Sequence, residues 1–247
     1  MNLQKKRILI LGANSDIAKA LCVQFAKAGA NLHLASRNVK ELEKSANDLR
    51  IRYGVEVNVS ELDALIPVSR TQIIDNVYPQ IDGAVLALGV LGSQTEAQKS
   101  EGLREQVLQT NFNVAIHLLE PLAALFEQRR AGFVVGISSV AGDRGRASNY
   151  MYGAAKAGFS AYLSGLRNRL ASFGVPVLTI KPGFVKTKMT LGLPLPGKLV
   201  ATPERVAADI MKALAGKKDV SYTPWFWKPL MTIIIHIPER IFKGLKL

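Results

Sequence analysis

The sequence predicts an α/β fold, doubly wound and in one domain, with a mostly parallel sheet and helices on both faces. Two observations lead there. Short apolar runs of strand length alternate with longer stretches whose apolar residues recur at helical spacing. No Pro/Gly/Ser-rich linker, low-complexity segment or internal repeat divides the 247 residues. The body is expected over 1–221, and a Trp- and Ile-rich basic tail over 222–247.

The first element is the run Arg7-Ile-Leu-Ile-Leu11. It passes through Gly12-Ala-Asn-Ser-Asp16-Ile-Ala18 into a helical pattern on Ile17, Leu21, Phe25 and Ala28 that ends at Gly29. Strand, tight turn and helix make the setting of a dinucleotide-binding turn. The helix start offers unpaired N–H groups and a positive dipole end to a pyrophosphate. Asn14 or Ser15 caps this helix or bonds a phosphate. The Asp16 carboxylate would repel a pyrophosphate unless it points away or caps the helix.

The second strand, Asn31-Leu-His-Leu-Ala35, ends at Ser36-Arg37-Asn38. An acid at this strand end would accept hydrogen bonds from a ribose 2′-hydroxyl and repel a 2′-phosphate. Ser36 takes that place, and Arg37 supplies a guanidinium suited to phosphate. NADP is therefore expected over NAD, a solvated loop arginine being the alternative. The third strand is expected over Val55 to Val59, followed by Asp63 as a helix cap. The fourth runs from Gly83 to Gly89. Gln106 to Gln128 reads as one long helix carrying Asn111 midway and Pro121 further on, a residue able to bend it.

Phe133 to Ile137 reads as a buried strand ending at Ser138-Ser139. After a polar loop, Tyr152 opens a helical pattern through Phe159, Leu163, Leu166 and Leu170. Tyr152 and Lys156 are four apart and share one helix face. An ammonium beside a phenol favours the phenolate, which suits proton exchange with a carbonyl or alcohol oxygen. A serine at the facing strand end can hydrogen-bond the same oxygen. The next strand, Val175 to Ile180, enters Lys181-Pro182-Gly183-Phe-Val185-Lys-Thr187. Thr190 to Val200 lacks periodicity and suits a mobile lid. Thr202-Pro203-Glu204 starts another helix.

Ser139, Tyr152 and Lys156 fall on a Ser…Tyr-x-x-x-Lys signature, and in this the chain resembles the short-chain dehydrogenase/reductase family. The resemblance spans about Arg7 to Ala215 and implies a Rossmann-like domain that moves hydride between NADP(H) and a carbonyl or secondary alcohol. It implies that Tyr152 donates the proton and that Ser139 bonds the same oxygen. Lys156 would hold the nicotinamide ribose and lower the Tyr152 pKa. Asn111 matches the family's active-site asparagine, which sits at a helix distortion and holds a relay water; Asn113 competes for that place. Gly12, Asn14, Ser15, Asp16 and Ile17 would form the cofactor turn, with Asp16 and Ala18 standing at its second and third glycines. Asp63 would lie near the adenine. Gly89 is the residue retained where the family often carries Asn-Asn-Ala-Gly. Pro182, Gly183, the Val185 backbone and the Thr187 hydroxyl would hold the carboxamide.

The substrate is read from resemblance as well. The first turn, the segment Gly142 to Tyr150 and the tail are similar to a bacterial subgroup that includes reductases of decaprenylphosphoryl 2-keto-pentose, a lipid-linked sugar. Arg144 and Arg146 would then meet the lipid phosphate. A 3-oxoacyl or other hydrophobic ketone is the neighbouring reading, and a non-catalytic NADP sensor is the reading from another class. Family members are often homodimers or homotetramers, here through Gln106–Gln128 and Tyr152–Phe173.

Bulk properties narrow the partners. With 48% hydrophobic residues the chain can bury a sizeable core, and its formal net charge is +13. Nucleic acid, an anionic membrane face and a charged substrate or cofactor compete to explain that charge. Without zinc-ligand spacing, helix-turn-helix or aromatic RNA-binding motif, nucleic acid is set aside. His33, His117 and His236 are dispersed, and no metal is assigned. The single cysteine, Cys22, lies on an amphipathic pattern and fits a reducing compartment, the cytoplasm. The amino terminus lacks a signal peptide's apolar region. In the tail, Trp225, Trp227 and an isoleucine run alternate with Lys228, Arg240, Lys243 and Lys246. The run is far shorter than the roughly 20 residues that span a bilayer. It reads either as an interfacial segment on the inner face of the cytoplasmic membrane or as a contact between subunits or over the core.

Overall fold

A computed structural model describes residues 2–245, so Lys246 of the tail lies outside the described residues. Seven strands form one parallel sheet: β1 (Arg7–Leu11), β2 (Asn31–Ser36), β3 (Val57–Glu61), β4 (Gly83–Leu86), β5 (Val134–Ile137), β6 (Val177–Pro182) and β7 (Val220–Thr223). Their order is β3-β2-β1-β4-β5-β6-β7. Between β1 and β4 the order reverses, which opens a crevice at the carboxyl ends of the strands.

Successive β1 side chains point to opposite faces. Ile8 and Ile10 join a core beneath α1 (Asp16–Lys27) and α2 (Val39–Tyr53), to which Phe25 and Leu42 contribute. Leu9 and Leu11 join a second core that includes Ile73 of α3 (Pro67–Asn76). Two short helices follow β4, α4 (Gln94–Ala97) and α5 (Glu101–Leu108), before α6 (Val114–Arg129), α7 (Tyr150–Ala171) and α8 (Pro203–Ala215). Leu118 and Phe126 of α6 and Phe159 and Leu163 of α7 fill the second core; Val206 and Ile210 of α8 fill the first. The doubly wound expectation is met.

Several boundaries differ from expectation. β3 starts at Val57, which pairs with Leu32, rather than at Val55. β4 stops at Leu86, so Ala87–Gly89 is a loop at the crevice. The expected single helix from Gln106 starts at Glu101 and contains a π turn, Gln109–Asn113; Pro121 lies inside α6. Asp63 is no helix cap: α3 is preceded by Ile66 at that position, and the Asp63 carboxylate accepts the Leu65 N–H at 3.1 Å. The lid segment carries two 3₁₀ turns, Lys188–Thr190 and Gly197–Leu199.

The tail departs furthest. β7 was not foreseen, and Tyr222, the expected first residue of the tail, lies within it. Beyond it come α9 (Trp227–His236) and α10 (Glu239–Phe242). Trp227 and Met231 are buried against Val140, with Phe184 and Tyr222 packed around them. Arg144 ties the tail down: it donates to the Ile235 carbonyl at 2.8 Å, pairs with Glu239 and lies 4.2 Å over the Phe242 ring. One side of the tail therefore covers the core. Its other side leaves Trp225 71% and Ile233 65% exposed.

Candidate active site

A cavity of about 990 Å³ runs along the carboxyl ends of the strands. Every predicted site residue lines it except Asn111.

At one end stands the β1–α1 turn. Gly12 has φ +85°, a left-handed conformation that favours glycine, and a Cβ there would lie 2.9 Å from the Ala87 carbonyl carbon. The two crevice loops thus touch. Ser15 caps α1, accepting the Ala18 N–H at 3.2 Å, whereas Asn14 donates to the Asn38 carbonyl at 3.1 Å. The Asp16 carboxylate is turned to the lid segment, where it accepts the Lys188 backbone N–H at 2.6 Å. It is satisfied within the protein. Beside it, Lys188 also pairs with Glu41. Arg37 at the end of β2 is exposed and has no hydrogen-bond or ion-pair partner among the described residues.

The middle holds Ser139, Tyr152 and Lys156. Ser139 ends the extended segment after β5, and its Oγ accepts the Ala141 N–H at 3.1 Å. The following turn locks against α7: a Cβ on Gly153 would lie 2.8 Å from the Ala141 oxygen, and one on Gly142 2.7 Å from the Lys156 carbonyl carbon. Ser138 clamps the same junction, donating to the Lys156 carbonyl at 3.0 Å. These contacts seat Ser139 beside Tyr152.

Burial pushes the Tyr152 phenol up to about 12, and its hydrogen bond with Ser139 draws it partly back. Burial pushes Lys156 down to about 8. The Lys156 ammonium donates to the Ile137 carbonyl at 3.1 Å and lies 5.8 Å from the Tyr152 ring centre. The expected lowering of the phenol by Lys156 is not seen: burial raises it, and the group that draws it back is Ser139. Gly89 leaves room for that ammonium, which would be 3.5 Å from a Cβ there.

Asn111 sits in the π turn, 2% exposed. Its amide donates to the carbonyls of Val90 at 2.7 Å and Val107 at 2.8 Å and accepts the Val90 N–H at 3.3 Å. The side chain holds the loop after β4 rather than facing the cavity. Asn113 makes none of these contacts.

On the β6 side, Pro182, Gly183, Val185 and Thr187 line the cavity. The Thr187 hydroxyl is 3.3 Å from that of Thr190. A side chain at Gly183 would run into the indole of Trp227, so the tail presses on this turn from behind. Sequence reasoning missed that support, along with Gln94 and Asn149 in the cavity wall. No spacing rule marks any of them.

Residues 6–194 match the family model described as short chain dehydrogenase. The chain belongs to the short chain dehydrogenase family. Like its family it is an oxidoreductase acting on CH–OH or C=O groups with NAD(P). It is 36% identical over 239 residues to an uncharacterised oxidoreductase of Mycobacterium tuberculosis, covering 96% of this chain and 95% of that one. It is 29% identical over 226 residues to a 3-oxoacyl-[acyl-carrier-protein] reductase of Chlamydia muridarum, covering 83% of this chain and 88% of that one. Among solved structures, a short-chain dehydrogenase from Sphingobium yanoikuyae in complex with NADPH superposes with TM-score 0.85 at 23% identity, over 95% of this chain and 97% of that one.

The cavity fits a dinucleotide on its own terms. Gly12 and Gly89 keep side chains out of its floor, α1 presents its amino terminus, and Arg37 is unpartnered among the described residues at the β2 end. No cluster of metal-ligating side chains exists among the described residues.

Proposed function

We propose that the chain is an NADPH-preferring carbonyl reductase, running as an alcohol dehydrogenase in reverse. The observation that carries this reading is one continuous cavity with an unpaired Arg37 at one end and Ser139, Tyr152 and Lys156 together further along. The nicotinamide supplies or accepts the hydride when bound. Tyr152, protonated throughout the neutral range, gives its proton to the substrate oxygen, and Ser139 donates a hydrogen bond to the same atom. Lys156 bonds the ribose hydroxyls beside Gly89. Asn111 orders the relay water through the backbone of its π turn, since its amide is committed to Val90 and Val107. The β1–α1 turn from Gly12 to Ile17 receives the pyrophosphate. Ser36 and Arg37 receive the 2′-phosphate, and Asp63 the adenine. Pro182, Gly183, Val185 and Thr187 hold the carboxamide.

The substrate reading is a lipid-linked keto-sugar, met at the inner face of the cytoplasmic membrane by a homodimer or homotetramer. Its support is the exposed apolar side of the tail beside exposed Lys228, Arg240 and Lys243, together with Leu191 of the lid segment, 85% exposed. Similarity to the Chlamydia muridarum enzyme favours a 3-oxoacyl substrate as second reading.

The test measures reduction of a ketone panel and nucleotide binding together. Tyr152→Phe should cost ~10²–10⁴-fold in kcat, and Arg37→Ala should weaken NADPH ~10–100-fold while leaving NADH little changed. Turnover that survives Tyr152→Phe would remove the proton-donor role. Nucleotide binding without turnover of any ketone would favour a sensor.

A further inference from the structure

The cavity that holds Ser139 and Tyr152 is also lined by residues with polar atoms that the protein leaves unmatched. The Arg146 guanidinium has no hydrogen-bond or ion-pair partner among the described residues, and its Nε is shielded from solvent. Gln94 Nε2 and Asn149 Oδ1 are likewise buried without partners, and both residues line the same cavity. Gln94 is held in place because its Oε1 accepts the Met151 N–H at 3.2 Å.

The acid nearest in sequence, Asp143, is unavailable. Lys181 pairs with its Oδ1, and the Tyr222 hydroxyl donates to its Oδ2 at 2.9 Å. The two acids of the cavity, Asp16 and Asp63, already accept backbone N–H groups. Arg144 is spent on Ile235 and Glu239 in the tail, so of the two loop arginines only Arg146 reaches the cavity. Burial pulls the Arg146 guanidinium below its ordinary range, and the Asp143 charge opposes this from a distance. A half-buried cation without a partner and orphaned buried amide atoms are costly unless a ligand satisfies them.

We infer that Arg146, Gln94 and Asn149 form an anion subsite, and that the substrate is a carbonyl compound bearing a phosphate or carboxylate and at least one hydroxyl. Arg146 and Gln94 donate to the anion, and Asn149 accepts from the hydroxyl. The inference rests on the reductase reading and narrows it: a plain hydrophobic ketone leaves all three groups unmatched. A phosphate has two sources, a lipid phosphodiester or a free phosphorylated compound.

The experiment uses wild type, Arg146→Gln and Arg146→Lys. Reduction of dihydroxyacetone phosphate is compared with that of dihydroxyacetone, and inorganic phosphate and octyl phosphate are titrated into the NADP-saturated proteins. Wild type should prefer the phosphorylated ketone in kcat/KM. Arg146→Gln should erase ~10–100-fold of that ratio, as expected for a lost charge-assisted hydrogen bond, and Arg146→Lys should restore part of it. Phosphate binding should weaken in parallel. Octyl phosphate binding well above inorganic phosphate assigns the anion to a lipid, and equal binding assigns it to a free phosphorylated compound. A phosphate preference and phosphate affinity indifferent to Arg146, with turnover intact, overturns the subsite and leaves the reductase standing. Arg146-dependent phosphate binding without turnover of any ketone keeps the subsite and removes the reductase.

Discussion

Tyr152 and Lys156 are the residues whose surroundings most change their chemistry. A phenol held up to about 12 by burial is a proton donor across the physiological range, not a resident phenolate. Lys156 is held down to about 8, so its charged form is present below that pH and is lost as the pH rises through it. In the proposed reduction the Lys156 charge would favour loss of the Tyr152 proton, and that charge disappears on the alkaline side. Reductive kcat/KM at saturating NADPH should therefore fall as the pH rises through about 8. A profile that stays flat well above that pH would take Lys156 out of the proton chain. Asp16 belongs to the same scale. As a bare carboxylate it would repel a pyrophosphate; bonded to the Lys188 N–H, it holds the lid segment to the start of α1.

Among elements, the turn after β5, helix α7 and the tail helix α9 work as one support. Gly142 and Gly153 bring the turn and α7 together more tightly than a Cβ allows. On the far side Trp227 fills the place of a side chain at Gly183 and meets Phe184 edge-on, ring centres 5.4 Å apart. Val140, next to Ser139, belongs to the same small core as Trp227 and Met231. Trp227→Ala should therefore lower stability by about 3 kcal/mol, and it should also reduce kcat, because the turn carrying Val185 and Thr187 loses its backing. Calorimetric melting and steady-state kinetics on the same preparation read both. A variant that melts lower but turns over normally would confine the tail to stability. The motif residues Ser139, Tyr152 and Lys156 were legible because their relation is local, four residues on one helix opposite a strand end. The indole behind Gly183 was not, because no spacing connects positions so far apart.

For the whole molecule, the net charge of +13 and the apolar outer side of the tail belong to one question. Among the described residues no helix is long and apolar enough to cross a membrane. The membrane contact proposed for the exposed face is therefore one at the surface. Deleting the tail is a poor test, since it removes Tyr222 and Thr223 from β7 and Trp227 from the core. Replacing Trp225, Ile233 and Ile241 by serine leaves those contacts in place. Each such side chain contributes roughly 1.5–3 kcal/mol when fully buried. The triple variant should then lose at least about tenfold in partition onto phosphatidylglycerol vesicles, with wild-type binding that weakens as salt rises. Equal flotation of both proteins would end the membrane reading and leave this face to a second subunit.

By itself the sequence determined the layered α/β architecture, the strand–turn–helix of the crevice and the alignment of Tyr152 with Lys156, because hydrophobic period and helical spacing act over a few residues. The tertiary structure decided which polar groups are free. Asp16 finds its partner 172 residues away. Asn111 turns its amide to Val90 instead of the cavity, Arg144 is consumed by the tail, and Arg37 and Arg146 are left unpaired. Composition shows that charges are present. Only folding, by bringing distant donors and acceptors within hydrogen-bond reach, determines which of them remain for a ligand.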